Sequence, residues 1–227
     1  MIVAIDGPAG SGKSTVARAL SQRLNLVFLD TGAMYRAVTL YAMRNRLFNA
    51  DGSVKTADLE RQMSKINITF KLNKRAERPD TYLNNELVEN DIRTLEVSNH
   101  VSQIAAVPFI REAMVAQQQR MGKDKGVVMD GRDIGTTVFP EAELKGFVTA
   151  SAEVRAQRRY DELKEKGIPA DFNDILKNVQ ERDYIDSHRE VSPLRKAPDA
   201  IELDNSHMTI AEQSAWLMEQ VKQKIEE

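Results

Sequence analysis

The sequence predicts an α/β fold, a five-stranded parallel sheet flanked by helices, from three observations. Short apolar runs recur at Ile2-Val3-Ala4-Ile5, Val27-Phe28-Leu29, Val127-Val128-Met129, Gly146-Phe147-Val148 and Ala200-Ile201-Glu202-Leu203, and longer amphipathic segments separate them. The first run is β-branched and continuous, the pattern of a strand buried on both faces. Strands that alternate with helices build doubly wound parallel sheets. The length, 227 residues, suits one such domain with insertions better than two independent ones.

The first strand runs into Gly7-Pro8-Ala9-Gly10-Ser11-Gly12-Lys13-Ser14, which matches G-x-x-x-x-G-K-[ST]. From Thr15 a helix is predicted, with Val16, Ala19, Leu20 and Leu24 at helical spacing. Strand, loop and helix together make a phosphate-binding loop. Its glycines let backbone N–H groups converge on β- and γ-phosphate oxygens, and the helix N-terminus adds partial positive charge. Lys13 then reaches those oxygens and Ser14 is placed to ligate Mg²⁺. A nucleoside triphosphate is the expected ligand.

In open α/β sheets ligands lie beyond the carboxyl ends of the strands, so the exits carry the chemistry. The second exit reads Asp30-Thr31-Gly32-Ala33-Met34-Tyr35-Arg36, where Asp30 or Thr31 can cap a helix bearing Arg36. Taken alone, a cap followed by a surface arginine explains this segment better; the third exit shifts that balance. At the third exit, Asp130-Gly131-Arg132-Asp133, Asp130 is placed to hold a magnesium water and Arg132 offers a fork to phosphate. Solvated turn charges are the plainer alternative there.

Between the second and third strands the rhythm changes. Ile66-Asn67-Ile68-Thr69-Phe70-Lys71-Leu72 alternates at period two, and Thr81-Tyr82-Leu83 and Glu86-Leu87-Val88 flank Asn84-Asn85, a tight-turn pair. Residues 66–92 therefore read as a small antiparallel insertion in a core of residues 1–65 and 93–227. Beyond the fourth strand, Arg155, Arg158 and Arg159 fall at i, i+3 and i+4, and Arg182, Asp186 and Arg189 form a second helical stripe. Either stripe alone fits a solvated face. With the phosphate loop, they read as a helical lid over about 151–190 that closes on bound phosphates.

Charge and composition bound the partners. With 32 basic and 34 acidic residues the net charge is −2, which implies no nucleic-acid surface. The absence of cysteine excludes disulfides, thiolate metal sites and cysteine nucleophiles. No apolar run approaches the ~20 residues of a membrane span, and the first strand leaves no room for a signal peptide. A cytoplasmic protein without membrane contact is expected. His100, His188 and His207 lack metal-ligand spacing, Trp216 belongs to an amphipathic segment, and no heptad pattern argues against a monomer.

The phosphate loop, the Asp30–Arg36 segment, Ser102-Gln103-Ile104-Ala105-Ala106-Val107-Pro108-Phe109-Ile110-Arg111, Asp130-Gly131-Arg132-Asp133-Ile134-Gly135-Thr136 and Arg182-Asp183-Tyr184-Ile185-Asp186 together resemble the bacterial cytidylate kinases. The resemblance covers essentially the whole chain and includes the extended insertion. It implies a P-loop NTPase fold, phosphorylation of CMP and dCMP by ATP with Mg²⁺, and an insertion that binds the monophosphate. It also implies that Arg36, Arg132 and Arg189 hold the CMP phosphate and Arg182 and Asp186 the sugar, with Thr31 nearby, where many members have serine. Ser102, Arg111 and Asp133 would read the base, and Arg155, Arg158 and Arg159 would serve the lid. A kinase for another monophosphate or small metabolite, or a nucleotide-binding switch without transfer, are the alternatives.

Overall fold

The computed structural model describes residues 1–73, 75, 78–123 and 126–226. In chain order the elements are β1 (Ile2–Asp6), α1 (Lys13–Leu24), β2 (Val27–Asp30), α2 (Thr31–Arg44), α3 (Thr56–Gln62), β3 (Ile68–Asn73), β4 (Arg78–Leu83) and β5 (Glu86–Leu87). They continue with α4 (Leu95–Ala106), α5 (Pro108–Gly122), β6 (Val127–Gly131), β7 (Leu144–Thr149), α6 (Ala152–Glu165), α7 (Phe172–His188), β8 (Ile201–Asp204) and α8 (Ile210–Glu226). A π-helical turn spans Ile134–Val138.

The main sheet is parallel and has five strands in the order β2-β6-β1-β7-β8. Each corresponds to one of the apolar runs. β1 lies in the middle, and Val3, Ala4 and Ile5 are fully buried, as the continuous apolar run requires. One face packs on α1 and α8 through Val16, Leu20, Leu217 and Val221; the other buries Met129, Ile134 and Val138. A third core, around Met34, Leu59, Ile68, Leu83 and Ile104, joins α2 and α4 to the antiparallel strands.

The predicted insertion is a three-stranded antiparallel sheet, β3-β4-β5. Leu83 pairs with Glu86 across Asn84 and Asn85, whose φ angles of 50° and 69° are those of a two-residue hairpin turn. Asparagine tolerates that left-handed region better than most residues. The Ser102–Arg111 segment contains two helices. Pro108 cannot donate to a continuing helix, so α4 stops at Ala106 and the proline opens α5 at its first position.

The second predicted stripe is shorter than its spacing suggests. α7 ends at His188, and Arg189 is extended (φ −61°, ψ 145°) while its N–H still bonds the Ile185 carbonyl. Arg182 and Asp186 remain on the helix; Arg189 leaves it. Among the described residues no helix is long and apolar enough to cross a membrane.

Candidate active site

The exits of β1, β2 and β6 open into one cleft of about 970 Å³, walled by α4, α7 and the antiparallel sheet. At one end lies the phosphate loop. Gly7 is the residue that lets it pack: a Cβ there would stand 2.0 Å from the Val148 carbonyl oxygen of β7. Gly12, at φ 84°, turns the chain into α1 as its N-cap without any side-chain cap. Lys13 Nζ donates to the Pro8 carbonyl at 3.1 Å. Burial and then Arg132 push the Lys13 ammonium down to about 7.

Below the lysine, Ser14 Oγ donates to Asp130 Oδ2, and Thr31 Oγ1 donates to the Asp130 carbonyl at 2.7 Å. Asp130 Oδ1 is buried and has no hydrogen-bond partner among the described residues. Burial and the neighbouring Asp30 push the Asp130 carboxyl up to about 7. A hydroxyl facing a half-satisfied buried carboxylate is an oxygen set that suits a hydrated Mg²⁺. Among the described residues no cluster of three or more His, Asp or Glu side chains forms a cation cage.

The middle of the cleft is strongly cationic. Arg36 donates to Ser98 Oγ at 3.1 Å; burial, then Arg182 and Arg93, push its guanidinium down to about 9. Burial and then Arg132 push Arg182 down to about 10, and its Nε has no partner among the described residues. Arg132 Nε donates to Asp186 Oδ2 at 2.8 Å. Burial opposes the ionised form of Asp186, yet Arg132 and Arg182 outweigh it and hold the carboxyl below its usual range. Crowded, buried guanidinia lose charge stability unless a polyanion joins them.

At the far end Arg111 is 1% exposed. It donates to Asp133 Oδ2 at 2.5 Å and to the Ala105 carbonyl at 3.1 Å, while its guanidinium lies 5.4 Å from the Tyr35 ring centroid. Ser102 is buried in the same wall. Arg189 is here too, 3.5 Å from Asp133 Oδ1, with its guanidinium turned onto the Ser192 carbonyl. Spacing places Arg189 on one stripe with Arg182 and Asp186, and the resemblance groups it with Arg36 and Arg132; α7 ends before it, and its guanidinium stands beside Asp133.

The three α6 arginines do not share one environment. Arg155 is buried and engaged on every side: with the Ala9 carbonyl of the loop at 3.1 Å, the Ala150 carbonyl at 2.8 Å, and both carboxylate oxygens of Asp183. Arg158 and Arg159 line a smaller cavity of about 260 Å³ beside Gly12 and Thr15. Arg158 bonds Asn205 and Arg159 pairs with Glu162 at 2.7 Å. Separate partners thus offset the repulsion of three like charges on one helix.

Three contributors escape the sequence reading. Arg93 pairs with Asp30 at 2.8 Å and with Glu89 at 3.0 Å, and it lines the cleft. Burial opposes ionisation of Asp30, but Arg93 and Arg36 hold its carboxyl below the usual range. Arg78 of the antiparallel sheet faces the cleft as well. Asp6 accepts from the amides of Ile134 and Gly135, both at 2.8 Å, and fixes the turn after Asp133. Only Asp6 carries a local signal, a carboxylate ending an apolar strand.

The sequence also matches known proteins along its length. The family model described as cytidylate kinase matches residues 3–223. The chain belongs to the cytidylate kinase family. The cytidylate kinase of Bacteroides fragilis is 60% identical over 223 residues, covering 98% of this chain and 97% of that one. That of Bacteroides thetaiotaomicron is 59% identical, covering 99% and 98%. The cytidylate kinase of Porphyromonas gingivalis is 58% identical, covering 98% and 96%. The similarity to these cytidylate kinases therefore spans the main sheet, the antiparallel sheet, α6 and α7 alike.

Proposed function

We propose that this member of the cytidylate kinase family transfers the γ-phosphoryl group of ATP to a phosphate oxygen of CMP or dCMP, yielding ADP with CDP or dCDP. The observation that carries the reading is the buried Arg111–Asp133 pair at the end of a cleft that begins at the phosphate loop. Cytosine presents an exocyclic amine to a carboxylate and two acceptors, N3 and O2, to an arginine. Arg111 Nε, buried without a partner among the described residues, is a donor suited to one of them. Uracil would set its O4 against the Asp133 carboxylate, a mismatch of about 1–3 kcal/mol.

The other roles follow along the cleft. Arg36 and Arg132 would hold the acceptor phosphate, Arg182 and Asp186 the sugar, and Thr31 the junction between them. Arg189 joins Ser102, Arg111 and Asp133 at the base end. Residues 7–15 take the triphosphate, with Arg158 and Arg159 as lid cations. We assign Arg155 to holding the loop against α7, since its donors are already used. Residues 66–92 would supply the outer wall of the monophosphate site and 151–190 the lid.

The acceptor oxygen is anionic at neutral pH, so no general base is required. The γ-phosphorus–oxygen bond to ADP breaks as the bond to the CMP oxygen forms in line with it, and the chain contributes position and charge. Mg²⁺, held by Ser14 and through water by Asp130, would neutralise charge on the triphosphate oxygens. Lys13 stabilises the transferring group.

Coupled ADP release with CMP, dCMP, UMP and AMP tests the reading. CMP and dCMP are expected to be preferred, and Asp133→Ala to lower kcat/KM for CMP by roughly 10- to 150-fold, the scale of a lost charged hydrogen bond. UMP should lose far less, since its repulsion goes too. An unchanged CMP/UMP ratio in Asp133→Ala and Asp133→Asn would remove Asp133 from base recognition.

A further inference from the structure

Asn205 follows β8, and its N–H prolongs the ladder by donating to the Thr149 carbonyl at 2.9 Å. Its side chain is wholly buried, at 0% exposure. Nδ2 donates to the Ser11 carbonyl of the phosphate loop at 2.7 Å and to Gln213 Oε1 on α8 at 3.0 Å. Oδ1 accepts from the Arg158 guanidinium at 3.0 Å, and the Asn205 carbonyl accepts from the same guanidinium at 2.8 Å. A backbone carbonyl only accepts and a guanidinium only donates, so these partners dictate which way the amide faces. Gln213 in turn donates to the Met208 carbonyl at 3.1 Å, which presents its oxygen to Asn205.

These bonds meet the phosphate-binding machinery by two routes. One is the loop: Ser11 precedes Gly12, and a Cβ on Gly12 would stand 3.2 Å from Asn205 Nδ2. The amide therefore backs the loop at the peptide that aims Lys13. The other is the lid, because Arg158 lines the small cavity beside Gly12 and Thr15. An arginine already clamped loses little rotamer freedom on meeting a ligand, whereas a free one must give that freedom up. None of these bonds reaches Arg36, Arg111, Arg132 or Asp133, so Asn205 acts on the donor end alone.

We propose that Asn205 is a positioning residue for the phosphoryl donor, fixing the loop at Ser11 and the guanidinium of Arg158 in one register. The inference rests on the assignment of residues 7–15 to the triphosphate. Asn205→Asp is the discriminating change: it is nearly isosteric and keeps an acceptor for Arg158, but it sets a carboxylate oxygen against the Ser11 carbonyl. KM for ATP is expected to rise roughly tenfold, the scale of one lost buried hydrogen bond. KM for CMP should stay within about twofold, since the acceptor contacts are separate.

Asn205→Ser, a smaller change that keeps one donor, covers the case in which Asn205→Asp does not fold. It should show the same selectivity for ATP at smaller amplitude. Equal rises in both KM values, or no rise in either, in a folded variant would overturn the proposal. Lys13→Ala measured alongside separates the two ideas. If Lys13→Ala collapses turnover while Asn205→Asp leaves KM for ATP unchanged, the donor site stands and the role of Asn205 fails. If Lys13→Ala has no effect, the assignment of the donor site itself is wrong.

Discussion

Lys13 shows how much a single side chain owes to its surroundings. Its ammonium is buried beside Arg132 and rests on the Pro8 carbonyl of its own loop. Asp130 and Asp30 favour its charge but do not outweigh burial and Arg132, so a triphosphate would add the countercharge that restores it. Lys13→Ala should therefore leave the fold intact, by circular dichroism, while lowering kcat by roughly 100- to 1000-fold, the scale of a lost transition-state donor. Near-normal ADP release from the folded variant would sink the assignment. Lys13, Ser14 and the strand-exit acids are legible in the sequence because each sits at a fixed offset from an apolar run. Arg93 is not legible: its partner Asp30 is brought to it by tertiary packing, and Asp91-Ile92-Arg93-Thr94 reads as any polar turn.

Elements carry the coupling between such residues. Glu89, just after β5, is buried at 4% exposure and accepts from Thr81 N, Thr81 Oγ1 and two nitrogens of Arg93. Through Arg93 it ties β4 to Asp30, whose other oxygen caps α2 at the Ala33 amide. Glu89→Ala would strand that network and should cost about 3 kcal/mol of stability, the scale of a broken buried pair. On the proposed assignment of the antiparallel sheet to the acceptor site, it should also raise KM for CMP more than KM for ATP. A thermal midpoint equal to the wild type's would show that Glu89 is dispensable. The hairpin itself is plain in the sequence, through its period-two runs and the Asn84-Asn85 pair. The break of α7 before Arg189 is not, because helical spacing continues on paper beyond the residue at which the chain turns extended.

For the molecule as a whole, two behaviours follow. If α6 and α7 close only over both nucleotides, ATP hydrolysis without CMP should be far slower than transfer, since water is otherwise the competing nucleophile. Fast hydrolysis with ATP alone would favour a nucleotide switch. The second behaviour concerns pH. Burial raises the Asp6 carboxyl from 3.8 to about 6, against the lowering effect of the Gly135 and Ile134 amides. Between those values the folded chain binds the proton more readily than the unfolded chain. Stability from this group therefore falls as pH rises from about 4 through 6, by roughly 3 kcal/mol in full, and stays lower above. Asp6→Asn lacks the titration, so urea unfolding from pH 4 to 7.5 should show the wild type losing ground to the variant across that window. A flat difference would place the Asp6 carboxyl near its ordinary range.

The strand order also dictates when the phosphate loop can exist. β1 is the first element of the chain, yet its neighbours on both sides, Val127–Gly131 and Leu144–Thr149, lie in the second half. On the ribosome, the strand that leads into Gly7 has no sheet partner until most of the polypeptide has emerged. The α2, α4 and hairpin assembly, whose contacts are closer in sequence, can condense first. Until then Ile2-Val3-Ala4-Ile5 is an unpaired apolar edge of the kind that chaperones bind and aggregates recruit. The phosphate loop is thus among the last structures to form, although it lies well ahead of its sheet partners in the chain.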